Sequence, residues 1–117
     1  MSAPQIQTAM PKRRYQLGEF VITVLGEIES GDEHDYQWIF AVATEAEPQP
    51  GLFVCAERAG PEEREQGRFR MRVAMAEGSQ VVGYSDRWEN LDPFVEEAVK
   101  VVTTMLNVGD EAPYRLK

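Results

Sequence analysis

The stretch Arg68-Phe69-Arg70-Met71-Arg72-Val73-Ala74-Met75 alternates charge and bulk with a period of two. That period belongs to a β-strand whose two faces differ chemically. Phe69, Met71, Val73 and Met75 share one face; Arg68, Arg70 and Arg72 share the other. Three guanidiniums on one strand face call for acidic partners on neighbouring strands or for an anion from outside.

Upstream, Gly60 to Gly67 holds Glu62, Glu63, Arg64 and Glu65 between glycines and reads as a solvated loop, preceded by a strand from Leu52 to Arg58. Pairing Ala59 with Arg68 sets Glu57 opposite Arg70 and Cys55 opposite Arg72, with Ala56 opposite Met71 and Val54 opposite Val73. Downstream, Gly78-Ser79 reads as a two-residue hairpin turn into a strand from Gln80 to Trp88. That turn puts Val82 and Tyr84 on the Met71/Val73 face. Farther upstream, Tyr15 to Glu29 reads as one long strand around Phe20-Val21-Ile22-Thr23-Val24-Leu25, rich in β-branched residues. Ser30 to Asp35 is a polar hairpin loop, Tyr36 to Thr44 a strand, and Glu47-Pro48-Gln49-Pro50-Gly51 a breaker.

The period then changes. Asn90 or Asp92 suits a helix N-cap, with Pro93 at the first helical position and Gly109 as a stop. Phe94, Val95, Ala98, Val99, Val101, Val102, Met105 and Leu106 form a broad apolar helix face. The expected fold is therefore α+β: a five-stranded antiparallel β-meander followed by one C-terminal helix packed on a sheet face. Residues 1–14, with Pro4 and Pro11 and no periodicity, read as a flexible tail; 15–109 form one domain, and 110–117 a C-terminal tail.

Carrying the pairing to the first two strands collects Val21, Leu25, Trp38, Phe40 and Val42 under the helix. The opposite face then gathers Phe20, Ile22, Val24, Ile39, Phe53, Cys55 and Val81 beside Arg70 and Arg72. One helix cannot cover both faces, so the second needs another copy, a folded-back tail or a ligand. The expectation is a homodimer joined through Phe20, Ile22, Ile39 and Phe53.

Composition narrows the function classes. The chain has 117 residues and a net charge of −8, with eleven acids and two bases between Glu27 and Glu65. Such a surface repels nucleic acid and anionic membranes, so neither is an expected direct partner; a protein partner with a basic face is. Cys55 is the only cysteine, so no intramolecular disulfide forms, and no apolar run approaches the roughly 18 residues of a membrane span. Both features suit a cytoplasmic setting.

No phosphate-binding glycine loop, nucleophile elbow or cysteine/histidine metal pattern is present in the sequence, and no catalytic residue, metal or cofactor is assigned. His34, the only histidine, sits in the polar loop with Asp32, Glu33 and Asp35 and reads as part of a solvated turn. Cys55 reads as a buried, inert thiol. Trp38, Trp88, Tyr36 and Tyr84 read as packing aromatics. Arg68, Arg70 and Arg72 are the candidate binding residues. Their simplest role is a cross-strand ladder with Glu57 and with Glu19, Glu27 or Glu45; their functional role would be an anion or acidic-peptide contact. The expected function is a small, acidic, non-enzymatic interaction or regulatory protein. The alternatives are a small-ligand binding domain using the apolar face with its arginines, or an acidic inhibitor that mimics nucleic-acid charge.

Overall fold

The computed structural model describes residues 4–106 and 114–116. Six antiparallel strands follow one another: β1 (Ile6–Leu17), β2 (Phe20–Ser30), β3 (Tyr36–Thr44), β4 (Leu52–Arg58), β5 (Phe69–Met75) and β6 (Gly78–Ser85). One helix, α1 (Leu91–Leu106), comes next, and a three-residue strand, β7 (Tyr114–Leu116), adds to the free edge of β1. The sheet order is β6-β5-β4-β3-β2-β1-β7. The α+β class, the antiparallel meander and the single helix are as expected. The strand count is corrected from five to six, with β7 as a short addition.

The extra strand comes from the residues read as a tail. β1 pairs with β2 along its length, but its register slips between Ile6 and Thr8, between Thr8 and Met10, and between Pro11 and Arg13. Each irregularity resets which residues face inward, so no period of two survives in the sequence. Pro11 sits at one of these irregularities, where a missing ladder donor is tolerated. What read as one strand from Tyr15 to Glu29 is broken by Gly18 at φ 59°; Leu17 pairs with Phe20 across the turn. Such a positive φ is the signature of a tight hairpin, and glycine adopts it without strain.

The β4–β5 register is as expected: Glu57 opposite Arg70, Cys55 opposite Arg72, Ala56 opposite Met71 and Val54 opposite Val73. Two other registers differ. Met75 pairs with Gly78, so the β5–β6 turn is Ala76-Glu77 instead of Gly78-Ser79. A bulge then sets Val82 as an extra residue between Val81, opposite Arg72, and Gly83, opposite Met71, leaving Tyr84 opposite Arg70 on the arginine face. In β2, Ile22 lies opposite Val42 and Val24 opposite Phe40, while Leu25 faces Ile39. This one-residue change reverses the strand: Phe20, Ile22 and Val24 join the helix-side core, and Leu25 turns to the other face.

The helix-side core contains Leu17, Ile22, Val24, Phe40, Val54, Phe69 and Met71 from the sheet, with Phe94, Val95, Ala98 and Val102 from α1. Phe94 meets Phe40 edge-on, ring centroids 6.4 Å apart. The Trp38 indole Nε1 donates to the Trp88 carbonyl at 3.0 Å and ties β3 to the turn before α1. Asn90 precedes the helix, its carbonyl accepting from the Phe94 amide at 3.4 Å. The expected helix stop at Gly109 lies outside the described residues.

The second face is covered by the chain itself. Tyr36, Ile39, Ala41 and Cys55 form a buried cluster against which Ile6, Leu25, Ile28 and Phe53 pack. The far end of the β1–β2 hairpin thus closes over the sheet. The hairpin is tied down by the Gly31 amide donating to the Gln5 carbonyl and by the Gln5 amide donating to Asp32 Oδ2. The folded-back N-terminal segment is thus one covering of this face.

Candidate functional site

The candidate binding residues divide into two groups. Arg70 and Arg72 belong to an internal ion cluster built around Glu57, whose side chain is fully buried. Glu57 Oε1 accepts from Arg70 Nε at 2.7 Å and from Arg72 Nε at 3.1 Å. Its other oxygen, Oε2, has no well-aligned hydrogen bond and lies 3.0 Å from His34 Nδ1. Arg72 donates to the Tyr36 hydroxyl at 2.9 Å, and that hydroxyl donates to Asp32 Oδ2 at 2.9 Å. Arg70 also reaches Glu63 Oε1 at 2.8 Å, and the Tyr84 hydroxyl donates to Glu63 Oε2.

Arg68 stands apart. It precedes β5, is exposed, and turns to Asp86 and Glu89 in the turn before α1. The ladder read from the alternation is therefore right for Arg70 and Arg72 with Glu57, and wrong for Arg68. Of the other acids considered, Glu27 pairs with Lys12 instead. Asp32, His34, Tyr36, Glu63 and Tyr84 complete the cluster, and the alternating pattern singles out none of them. The first three lie in or beside the β2–β3 loop, and Glu63 in the β4–β5 loop, both of which read as solvated. The available signal was the count of buried positive charges: two adjacent guanidiniums on one face need more than one carboxylate.

The electrostatics match this geometry. Burial works against charge on Arg72, but the charge and hydrogen bond of Glu57 outweigh it and hold the guanidinium above its ordinary range. Burial opposes charge on Asp32 as well; hydrogen bonds from the Gln5 and His34 amides and from Tyr36 prevail and lower its pKa. Burial, followed by the hydrogen bond to Asp32, raises the Tyr36 phenol. Cys55 is buried beneath the cluster, and burial pushes its thiol up, far from a reactive thiolate. The cluster's charges are thus spent on one another, and Arg70 and Arg72 have little left for an external anion.

The proposed self-association residues do not form one patch. Phe20 and Ile22 belong to the helix-side core, while Ile39 and Phe53 lie on the opposite face. Ile22 and Ile39 are both fully buried. The reversal of β2 is the reason.

Exposed apolar surface lies elsewhere. An open cleft of 660 Å³ runs between the C-terminal half of α1 and the β5–β6 hairpin, lined by Val73, Met75, Val82, Val101 and Met105, with Lys100 and Glu97 at its rim. Val82 is 47% exposed and Met105 43%. The apolar face of α1 is wider than the sheet corner beneath it: the core takes Phe94, Val95, Ala98 and Val102, while Met105 is left over the cleft. β6 forms one edge of the sheet, and Gly78–Ser85 contains no charged residue and no proline. The opposite edge is lengthened by β7 on β1.

Among the described residues no group of three or more His, Cys, Asp or Glu side chains is placed to hold a metal, and no helix is long and apolar enough to cross a membrane. No protein-family model, curated protein or solved structure matches this chain.

Proposed function

We propose that this chain is a small, acidic, non-enzymatic interaction protein, whose working surface is the α1/β5–β6 cleft together with the open edge of β6. The observation that carries this reading is the coincidence of exposed Val82 and Met105 with an edge strand free of charge. Edge strands that must stay single usually carry lysine, proline or inward-facing charge. In a chain with 27% charged residues, an eight-residue edge with none is suited to receive another strand. Exposed side chains in the adjoining cleft would supply apolar contact beside the main-chain hydrogen bonds.

The arginine face is the weaker candidate, because Glu57 and Glu63 already satisfy Arg70, and Glu57 and Tyr36 satisfy Arg72. A small apolar ligand is the second reading, favoured by the cleft volume of 660 Å³, which falls within the range of about 300–1,000 Å³ typical of ligand clefts.

Panning a displayed random-peptide library against the protein, with Val82→Glu and Met105→Glu as counter-targets, tests the docking reading. Apolar peptides retained by the parent and lost on both variants are expected. No enrichment, or enrichment indifferent to both substitutions, would overturn it.

A further inference from the structure

We propose that the contact between His34 and Glu57 is a proton-operated latch: the imidazolium form of His34 holds the β2–β3 loop closed, and with it the N-terminal segment that covers the second sheet face. The latch lies on the face opposite the docking cleft and does not depend on that reading.

The ion cluster holds more negative charge than positive. Glu57, Glu63 and Asp32 bring three carboxylates, and Arg70 and Arg72 two guanidiniums. Both guanidiniums sit on the same Glu57 oxygen, with Arg70 Nε 2.7 Å and Arg72 Nε 3.1 Å from Oε1. Oε2 is left buried without a well-aligned hydrogen bond, and His34 Nδ1 is 3.0 Å away. A buried carboxylate oxygen without a partner is costly. Neutral imidazole can turn one N–H toward it but brings no charge. The imidazolium brings both, and a charge-assisted hydrogen bond is roughly twice as strong as a neutral one. The His34 side chain is 24% exposed and that of Glu57 only 1%, so water can deliver a proton to the ring without reaching the carboxylate.

The other groups around the ring do not supply the missing charge. Tyr36 of β3 is a phenol with its ring centroid 5.7 Å away. Asp32 accepts from the His34 amide at 3.0 Å. Asp35 is paired with Arg58 of β4 at 3.1 Å, and Glu33 is exposed. Arg70 and Arg72 of β5 face the ring across Glu57.

The loop that carries His34 also anchors the cover. The Gly31 amide donates to the Gln5 carbonyl at 2.6 Å, and the Gln5 amide donates to Asp32 Oδ2 at 3.0 Å. Ser30 Oγ donates to the His34 carbonyl at 3.0 Å, which ties the histidine to the start of the loop. Without the proton, Glu57 Oε2 loses its charged partner, and the loop and residues 5–9 loosen together. A proton held by the folded cluster and not by the unfolded chain adds stability that is complete below the ordinary histidine value of about 6.5 and fades as the pH rises above it.

Hydrogen–deuterium exchange of the full chain at about pH 6 and about pH 8 is the test, each rate referred to the intrinsic rate of the same peptide at that pH. Protection over residues 5–9 and 31–36 should be about tenfold lower at the higher pH, while protection around the fully buried Phe40 and Val54 stays unchanged. His34→Gln keeps a hydrogen-bonding side chain and removes the titration, so its loop and cover should show the low protection at both pH values. Protection of the parent that does not change with pH overturns the inference. So does a loss spread equally to Phe40 and Val54, or a pH step that persists in His34→Gln. Should the variant lose protection throughout, the parent's own profile decides between these outcomes.

Discussion

Glu57→Gln is the most revealing single change. The Glu57 side chain is fully buried, and one of its oxygens accepts from both Arg70 and Arg72. The substitution keeps the volume and removes the charge, leaving Arg72, only 6% exposed, without its counterion. Breaking one partner out of a buried ion pair costs about 3–5 kcal/mol, because the remaining charge stays desolvated. An unfolding entropy of about 2 cal/mol/K per residue over 117 residues gives about 0.25 kcal/mol/K, so the melting temperature should fall by about 12–20 °C. Calorimetry and urea titration together measure this, the urea slope checking that the transition remains two-state. The double variant Glu57→Leu, Arg72→Met should recover much of the loss, since a buried ion pair gains little over apolar packing of similar size. A loss below about 1 kcal/mol would mean that water reaches the cluster, and the covered second face described above would be wrong.

Two further outcomes follow from the same cluster and its cover. Asp32 has a pKa below its ordinary value of 3.8, so its contribution to stability is complete above that value and is lost as the pH falls through the lower folded value. Asp32→Asn should therefore flatten the acid side of the stability–pH curve below about pH 4, as followed by urea midpoints; an unchanged curve would remove Asp32 from the cluster. Deleting residues 1–9 removes Ile6 and the Gln5 contacts that hold the β1–β2 hairpin over Cys55. The deletion should lower the melting temperature and make Cys55 accessible to a thiol reagent in the native state, whereas the full chain should react only on unfolding. Equal labelling of both would show that the N-terminal segment does not cover the face.

Local pattern made part of this molecule legible. The alternation from Arg68 to Met75 marks a strand and identifies its two faces; because a short loop connects it to the strand before, Glu57 falls opposite Arg70 without any tertiary information. The 3.6-residue spacing from Phe94 to Leu106 likewise marks the helix and its buried side. These are interactions between near neighbours in the chain, and composition and period suffice to read them.

Where a segment is apolar on both sides, or crossed by bulges, the pattern carries no facing. Phe20 to Leu25 could lie either way up, and only pairing with β3 turns Ile22 toward Phe94's layer and Leu25 toward Ile39. β1 loses its period at three irregularities, so its role as a cover for Cys55 emerges only when Ile6 packs there. The ion cluster draws Asp32 and His34 from a loop distant in sequence from Arg72, because desolvating two guanidiniums requires several acceptors at once and chain closure alone brings that loop within reach. The open edge at β6 has the same origin: a strand's residues do not say whether it will be interior or terminal, since that depends on how many strands precede it and where the single helix runs out of sheet to cover.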